Sequence, residues 1–227
     1  MGIQEKNGYK WFVPDYPFKN LPLGDWEKKE REWILKNVPH GGLFIDVGAN
    51  LGIYAITLAN HFDEVIALEP QPINVEILKK NIELNRINNI IVLDKAGWDE
   101  SKAMMVLQLL PDDLASASIA TDNEKQVGEM KIDSIGTPMN KVCVEGIRID
   151  DLQTKPNFVK IDVEGGEFHV LKGMEDTMKR CAPTILVEMH HQEHTRMIIE
   201  WMRERGYDNI LQELPTMPDK FIFQKPK

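Results

Sequence analysis

The residues best suited to chemistry fall directly after short apolar runs. The first such run closes as Phe44-Ile-Asp46-Val-Gly48-Ala-Asn50-Leu-Gly52, an acid followed by glycines at two of the next six positions. Glycine lets the backbone turn tightly and approach a ligand, and the acid can hold a polar or positively charged group. A dinucleotide fingerprint would read Gly-x-Gly-x-x-Gly, but Asn50 replaces its second glycine and Ile53 stands where the third falls. The loop therefore fits a nucleoside ligand that has no pyrophosphate to cradle.

The second run ends at Glu69-Pro70, 21 positions after Gly48. That is close to the ~20-residue spacing at which a carboxylate meets a ribose. Glu69 is the expected ribose ligand, accepting both hydroxyls and repelling a 2′-phosphate. A third run ends in Asp94-Lys95-Ala96, where an adenine would lie, with Asp94 accepting from its exocyclic amine. S-adenosylmethionine meets all these conditions: it has no phosphate, and its ammonium suits Asp46, directly or through water. The expected cofactor-binding set is Asp46, Gly48, Asn50, Gly52, Glu69, Asp94 and Ala96.

A fourth run leads into Lys160-Ile-Asp162-Val-Glu164-Gly-Gly-Glu167, with several acids where a transferable methyl would point. Asp162 and Glu164 are the expected reacting-end acids, whereas Glu167 reads as a helix-start residue favoured by the macrodipole. The fifth run enters Glu188-Met-His190-His191-Gln-Glu193-His194, which holds half of the six histidines. His190 is the expected general base, because imidazole titrates near neutral pH; the other two cap or decorate the next helix. The zincin pattern His-Glu-x-x-His is absent. A divalent ion on Asp162, Glu164, Glu188 or His190 is the weaker alternative, and no metal ligand is assigned.

These residues need a parallel sheet behind them, because ligands bind beyond the carboxyl ends of parallel strands. The pattern after Gly42 supplies one, alternating apolar runs with helical stripes. Strands are expected at 43–47, 64–68, 89–93, 158–161 and 184–188. Helices are expected at 24–38, 52–59, 72–84, 167–180 and 194–205, the last with Met197, Ile198, Trp201 and Met202 buried and Gly206 as its cap. Two further strands, 103–109 and 141–147, enclose a stretch rich in Asp, Ser, Gly and Pro; this reads as an inserted hairpin-like excursion and a candidate lid. Residues 1–23 read as an irregular or short-strand arm, and 207–211 and 221–223 as two closing strands.

Size and composition agree with one α/β unit. At 227 residues, two domains would each have a thin core, so 1–42 reads as an arm and helix and 43–227 as the catalytic domain, with the excursion at about 103–147. A net charge of -9 disfavours a nucleic-acid partner. No apolar run approaches the ~18 residues of a membrane span, and the first residues lack the pattern of a signal peptide. A cytoplasmic protein is expected, with Cys143 and Cys181 as ordinary thiols. Oligomeric state leaves no mark in the sequence.

With these residues in hand, the chain resembles the FkbM family of S-adenosylmethionine-dependent methyltransferases from about Leu43 onward. The resemblance rests on 44–52, Leu68-Glu-Pro70, Leu84-Asn85, 159–167 with Val170-Leu-Lys-Gly173, and Pro183-Thr-Ile-Leu-Val-Glu188, in that order and spacing. Gly166 stands where alanine looks commoner in the family. The resemblance implies a class I, Rossmann-like fold whose seven-stranded, mostly parallel sheet ends in an antiparallel strand. It implies O-methylation of a sugar or other small-molecule or glycoconjugate hydroxyl. It assigns Asp46, Gly48, Asn50, Gly52 and Glu69 to the cofactor, and Asp162 and Glu164 to the reaction end. Two rivals stand beside it: methylation of nitrogen on a protein or small amine, and cofactor binding without catalysis.

Overall fold

The computed structural model describes residues 2–13, 27–102, 104–110, 113–119, 131–132, 138–190, 192–211 and 219–226. Five of its strands are parallel and lie side by side: β3 (Leu43–Val47), β4 (Glu64–Leu68), β5 (Ile90–Leu93), β11 (Pro156–Ile161) and β12 (Thr184–Glu188). With β13 (Asn209–Leu211) and β14 (Lys220–Gln224) they form a seven-stranded sheet in the order β13-β14-β12-β11-β3-β4-β5. β14 runs antiparallel to both of its neighbours. The expected seven-stranded, mostly parallel sheet is therefore the one observed.

Every residue of β3 is buried, as a strand covered by helices on both faces must be. Phe44 packs on Phe158 and Phe62 on one face, and Ile45, Val47, Val159 and Ile161 fill the other. The first face is covered by α1 (Lys28–Asn37), α2 (Ile53–Leu58) and α3 (Pro72–Leu84); α3 begins at the proline that suits a first turn. Val75 and Leu78 of this helix are buried.

The second face is covered by α4 (Glu167–Lys172), α5 (Glu175–Cys181) and α6 (Gln192–Glu204). The single helix expected over 167–180 is thus two. It breaks at Gly173, where a Cβ would stand 1.9 Å from the Trp98 carbonyl and where Asp150 N–H donates to the Gly173 carbonyl. A tertiary contact interrupts a pattern that is locally continuous. On α6, Ile198 and Met202 are buried as expected, but Met197 is 41% exposed. Gly206, at φ 79°, follows the last turn.

Two further segments stand apart from this sheet. The arm is a hairpin, β1 (Gly2–Lys6) and β2 (Tyr9–Val13), turned by Asn7 and Gly8, both at positive φ. Trp11 and Val13 are buried in the first core. The excursion is more than a hairpin: β6 (Ala96–Gly97), β7 (Met104–Leu110), β8 (Asp113–Ile119), β9 (Lys131–Ile132) and β10 (Pro138–Ile147) form a separate sheet. Part of the expected lid, the closing loop at 212–218, and Trp26 of the first helix lie outside the described residues. No helix among the described residues is long and apolar enough to cross a membrane.

Candidate active site

The site lies at the carboxyl ends of β3, β4, β11 and β12. After β3 the chain turns through Gly48 at φ 79°, Asn50 at φ 52° and Gly52 at φ 92°. Gly48 cannot carry a side chain, because a Cβ there would stand 1.7 Å from the Asp162 carbonyl. A Cβ on Gly52 would meet Leu78 of α3 at 2.3 Å. The loop is therefore wedged between the end of β11 and α3, and its two glycines answer to those two contacts.

Glu69 extends from β4 into this loop. Its Oε2 accepts the Asn50 N–H at 2.8 Å, and its Oε1 accepts the Gln71 N–H at 3.0 Å and Asn74 Nδ2 at 3.5 Å. Burial pushes its pKa up to about 7 in spite of these donors. Asp46 is wholly buried; its Oδ2 accepts the Ala55 N–H at 3.1 Å and so clamps the start of α2. Its Oδ1 has no hydrogen-bond partner among the described residues and lies 3.7 Å from Lys160 Nζ. Burial raises its pKa, and the Lys160 charge opposes the rise. Ala96 is buried in β6, whereas Asp94 is exposed and paired with Lys79 at 3.1 Å.

Lys160, to which the sequence alone assigns no role, ties the two halves of the site together. Its Nζ donates to Asp162 Oδ2 at 3.0 Å and to the Gly48 carbonyl at 3.3 Å, and it stands over the Tyr54 ring at 4.9 Å. Burial works against its charge, but Asp162 and Asp46 overcome this and hold its pKa above the usual lysine value. The available signal is a lysine inside an apolar run, since a charge on a covered strand requires partners.

At the reacting end the structure brings together Asp162, Glu164 and His190, and adds Glu167 and Glu188. His190 Nδ1 donates to Glu167 Oε1 at 2.9 Å. Its Nε2 stands 3.3 Å from Glu164, 3.6 Å from Asp162 and 4.0 Å from Glu188. Burial disfavours charge on the imidazole, but the Glu167 bond and the neighbouring acids raise its pKa. Glu188 is also raised, by burial and by the Asp162 charge. Glu167 proves to be more than a helix-start acid: it is 2% exposed, and its Oε1 also accepts the Gly165 N–H at 2.8 Å. Lys220 of β14 binds Glu188 Oε2 at 3.0 Å and Glu27 before α1. In the sequence it is legible only as a residue beside a closing strand.

The residues fit S-adenosylmethionine. The loop has a cradle at Gly48 that a Cβ would fill, an orphaned carboxylate oxygen on buried Asp46, and buried Glu69 at the end of the neighbouring strand. A β5-β4-β3-β11-β12-β14-β13 sheet with antiparallel β14 inserted next to the edge, and this loop after its central strand, define the class I methyltransferases. Within that class the chain belongs to the FkbM family, whose methyltransferase FkbM domain matches residues 46–208. It is an S-adenosylmethionine-dependent methyltransferase.

Its relatives carry varied names. Methyltransferase sdnD of Sordaria araneosa is 24% identical over 211 residues, covering 82% of each chain. The hexuronic acid methyltransferase AglP of Haloferax volcanii is 28% identical over 157 residues, 69% of this chain and 59% of its own length. Among solved structures, methyltransferase FkbM from Methylobacillus flagellatus superposes with a TM-score of 0.55 at 17% identity, covering 81% of this chain and 43% of that one.

Proposed function

We propose that the enzyme methylates a hydroxyl on a sugar or other small-molecule or glycoconjugate acceptor. The observation that carries this reading is the group of acids around His190 at the end of β11 and β12, where an acceptor oxygen can lose its proton. An alcohol needs such a base far more than an amine with a free lone pair does. The hexuronic acid relative supports a sugar acceptor for this chain too.

The cofactor supplies an electrophilic methyl carbon. Glu69 holds the ribose, Gly48 and Asn50 bring backbone against the ligand, and Asp46 with Lys160 fixes the loop that carries them. Ala96 and Asp94 would hold the adenine, and the Lys79 partner of Asp94 is exposed and easily exchanged. Asp162, Glu164 and His190 face the acceptor, and a carboxylate takes its proton, because the surrounding acids keep the His190 imidazole protonated. When bound, the cofactor would give its methyl carbon to the acceptor oxygen, the C–S bond breaking as the C–O bond forms and its electron pair staying on sulfur. Positioning of this kind contributes about 7–11 kcal/mol and a base about 10² to 10⁴-fold.

Residues 43–227 form the catalytic unit in this reading, with 1–42 as its arm. The unpaired cysteines Cys143 and Cys181 suit a cytoplasmic enzyme. Labelled-methyl transfer to matched hydroxyl and amine acceptors, uronic acids and amino sugars among them, tests the proposal. Ether formation with release of S-adenosylhomocysteine is the expected result; transfer to amines alone overturns it.

A further inference from the structure

Asp162, Glu188 and His190 each offer one donor atom within 4.8 Å of the other two. In all three the remaining polar atom is held from behind. Lys160 takes Asp162 Oδ2 at 3.0 Å, and Oδ1 turns toward His190 Nε2. Lys220 takes Glu188 Oε2 at 3.0 Å, and Oε1 turns the same way. Glu167 accepts from His190 Nδ1, which fixes the ring and directs Nε2 inward. Outer partners that orient the inner donors in this manner are the usual surroundings of a bound metal.

Tyr54 gives an independent indication. It is 3% exposed, and its hydroxyl has no hydrogen-bond partner among the described residues. Burial and then the charges of Glu30, Asp162 and Glu188 keep its proton on, so this O–H stays a donor within the field of the same carboxylates. Asp162 and Glu188, each with about a fifth of its side chain exposed, leave the centre open to solvent.

We propose that Asp162, Glu188 and His190 bind one divalent cation of the magnesium and manganese class, which holds an acceptor through two adjacent oxygens. Two carboxylates and an imidazole suit such an ion, and an octahedral ion keeps three positions for acceptor and water. His190 then loses its Nε2 proton and acts as a ligand, and Glu164, 3.3 Å from Nε2, receives the acceptor proton. The acceptor class narrows to vicinal diols and hydroxy acids, a deepening that rests on the O-methylation reading.

The test is Mn²⁺ titration of the chelator-treated full chain, followed by electron paramagnetic resonance and calorimetry without cofactor or acceptor. One saturable Mn²⁺ per chain is expected, displaced by Mg²⁺ and lost in Asp162→Asn and His190→Gln. Glu167→Gln, with the ligands intact, should weaken Mn²⁺ about 10- to 100-fold. S-adenosylmethionine binding, measured in parallel, shows that each variant is folded. Absence of saturable Mn²⁺ binding to the wild-type chain, or binding unchanged in both folded ligand variants, overturns the site. Hydroxyl methylation that survives chelation overturns the cation's role while leaving O-methylation standing; Mn²⁺ binding without any hydroxyl acceptor does the reverse.

Discussion

Glu69 carries a burden that its position in the sequence does not reveal. A carboxylate must be ionised to accept both ribose hydroxyls, yet burial has moved its pKa from 4.5 to about 7. Cofactor affinity should therefore strengthen as pH rises from 6 to 8, and Glu69→Gln should flatten that profile while weakening affinity about 10- to 100-fold. Calorimetry across the pH range measures both. Stability should run the other way. Between pH 4.5 and 7 the folded chain binds a proton at Glu69 that the unfolded chain has lost, so stability falls as pH rises, by about 3 kcal/mol in full. The cofactor-free Glu69→Gln variant should lack that slope in denaturant titrations.

Lys160 presents the opposite case, a buried cation with two acids depending on it. Lys160→Met leaves Asp46 and Asp162 uncompensated, and should cost about 3–5 kcal/mol. Thermal unfolding should then shift down by about 6–20 °C, at the ~2–4 °C per kcal/mol of a chain this size. A shift under one degree would refute the linking role given to this residue.

Among the elements, α3 connects the arm to the site. Asn81 Oδ1 accepts the Phe12 N–H of β2 at 2.7 Å, while its Nδ2 donates to the Leu51 carbonyl in the glycine loop at 3.0 Å. Asn85 clasps Lys10 through both its N–H and its carbonyl. Asn81→Ala leaves two backbone groups without partners, at about 1–3 kcal/mol each. Hydrogen exchange should quicken at Phe12 and in the 48–52 loop together; quickening confined to the hairpin would show that the two are not coupled. The break between α4 and α5 belongs to this scale as well. Gly173 yields to the Trp98 backbone, and Gly166 lies 3.0 Å, as an imagined Cβ, from the same Trp98 ring. Gly166 thus makes room for an aromatic side chain that also stacks on His169 at 3.9 Å.

For the molecule as a whole, cofactor binding should be legible as stability, since a ligand that binds only the folded chain stabilises it by mass action. At a hundred times its dissociation constant it should add about 2.7 kcal/mol and raise the unfolding midpoint by about 5–11 °C. Gly48→Ala should remove that increment, because its Cβ collides with the Asp162 backbone at a positive φ. Scanning calorimetry with and without ligand reads both outcomes.

Much of this was legible in the sequence for one reason: a strand covered on both faces must be apolar throughout, and the turn at its carboxyl end is where a ligand can reach the chain. β3, β4, β12 and α3 have the expected ends because apolar runs, Pro72 and the glycine turn are local signals. The hairpin at 2–13 carried a local signal as well, the Asn7-Gly8 pair, though the irregular composition around it obscured the strands. Other features have no local signature. The division of one helix at Gly173 depends on Trp98, 75 residues earlier, and the sheet built by β6 to β10 depends on pairing across a long excursion. The sequence by itself determined the sheet, the donor loop and the acids at its rim. Only the tertiary structure decided how those acids are held, because the lysine on Glu188 comes from β14 and the glutamate that turns His190 from the start of α4, 23 residues before it. A charge is defined by its neighbours, and in a folded chain those neighbours are set by packing rather than by order along the chain.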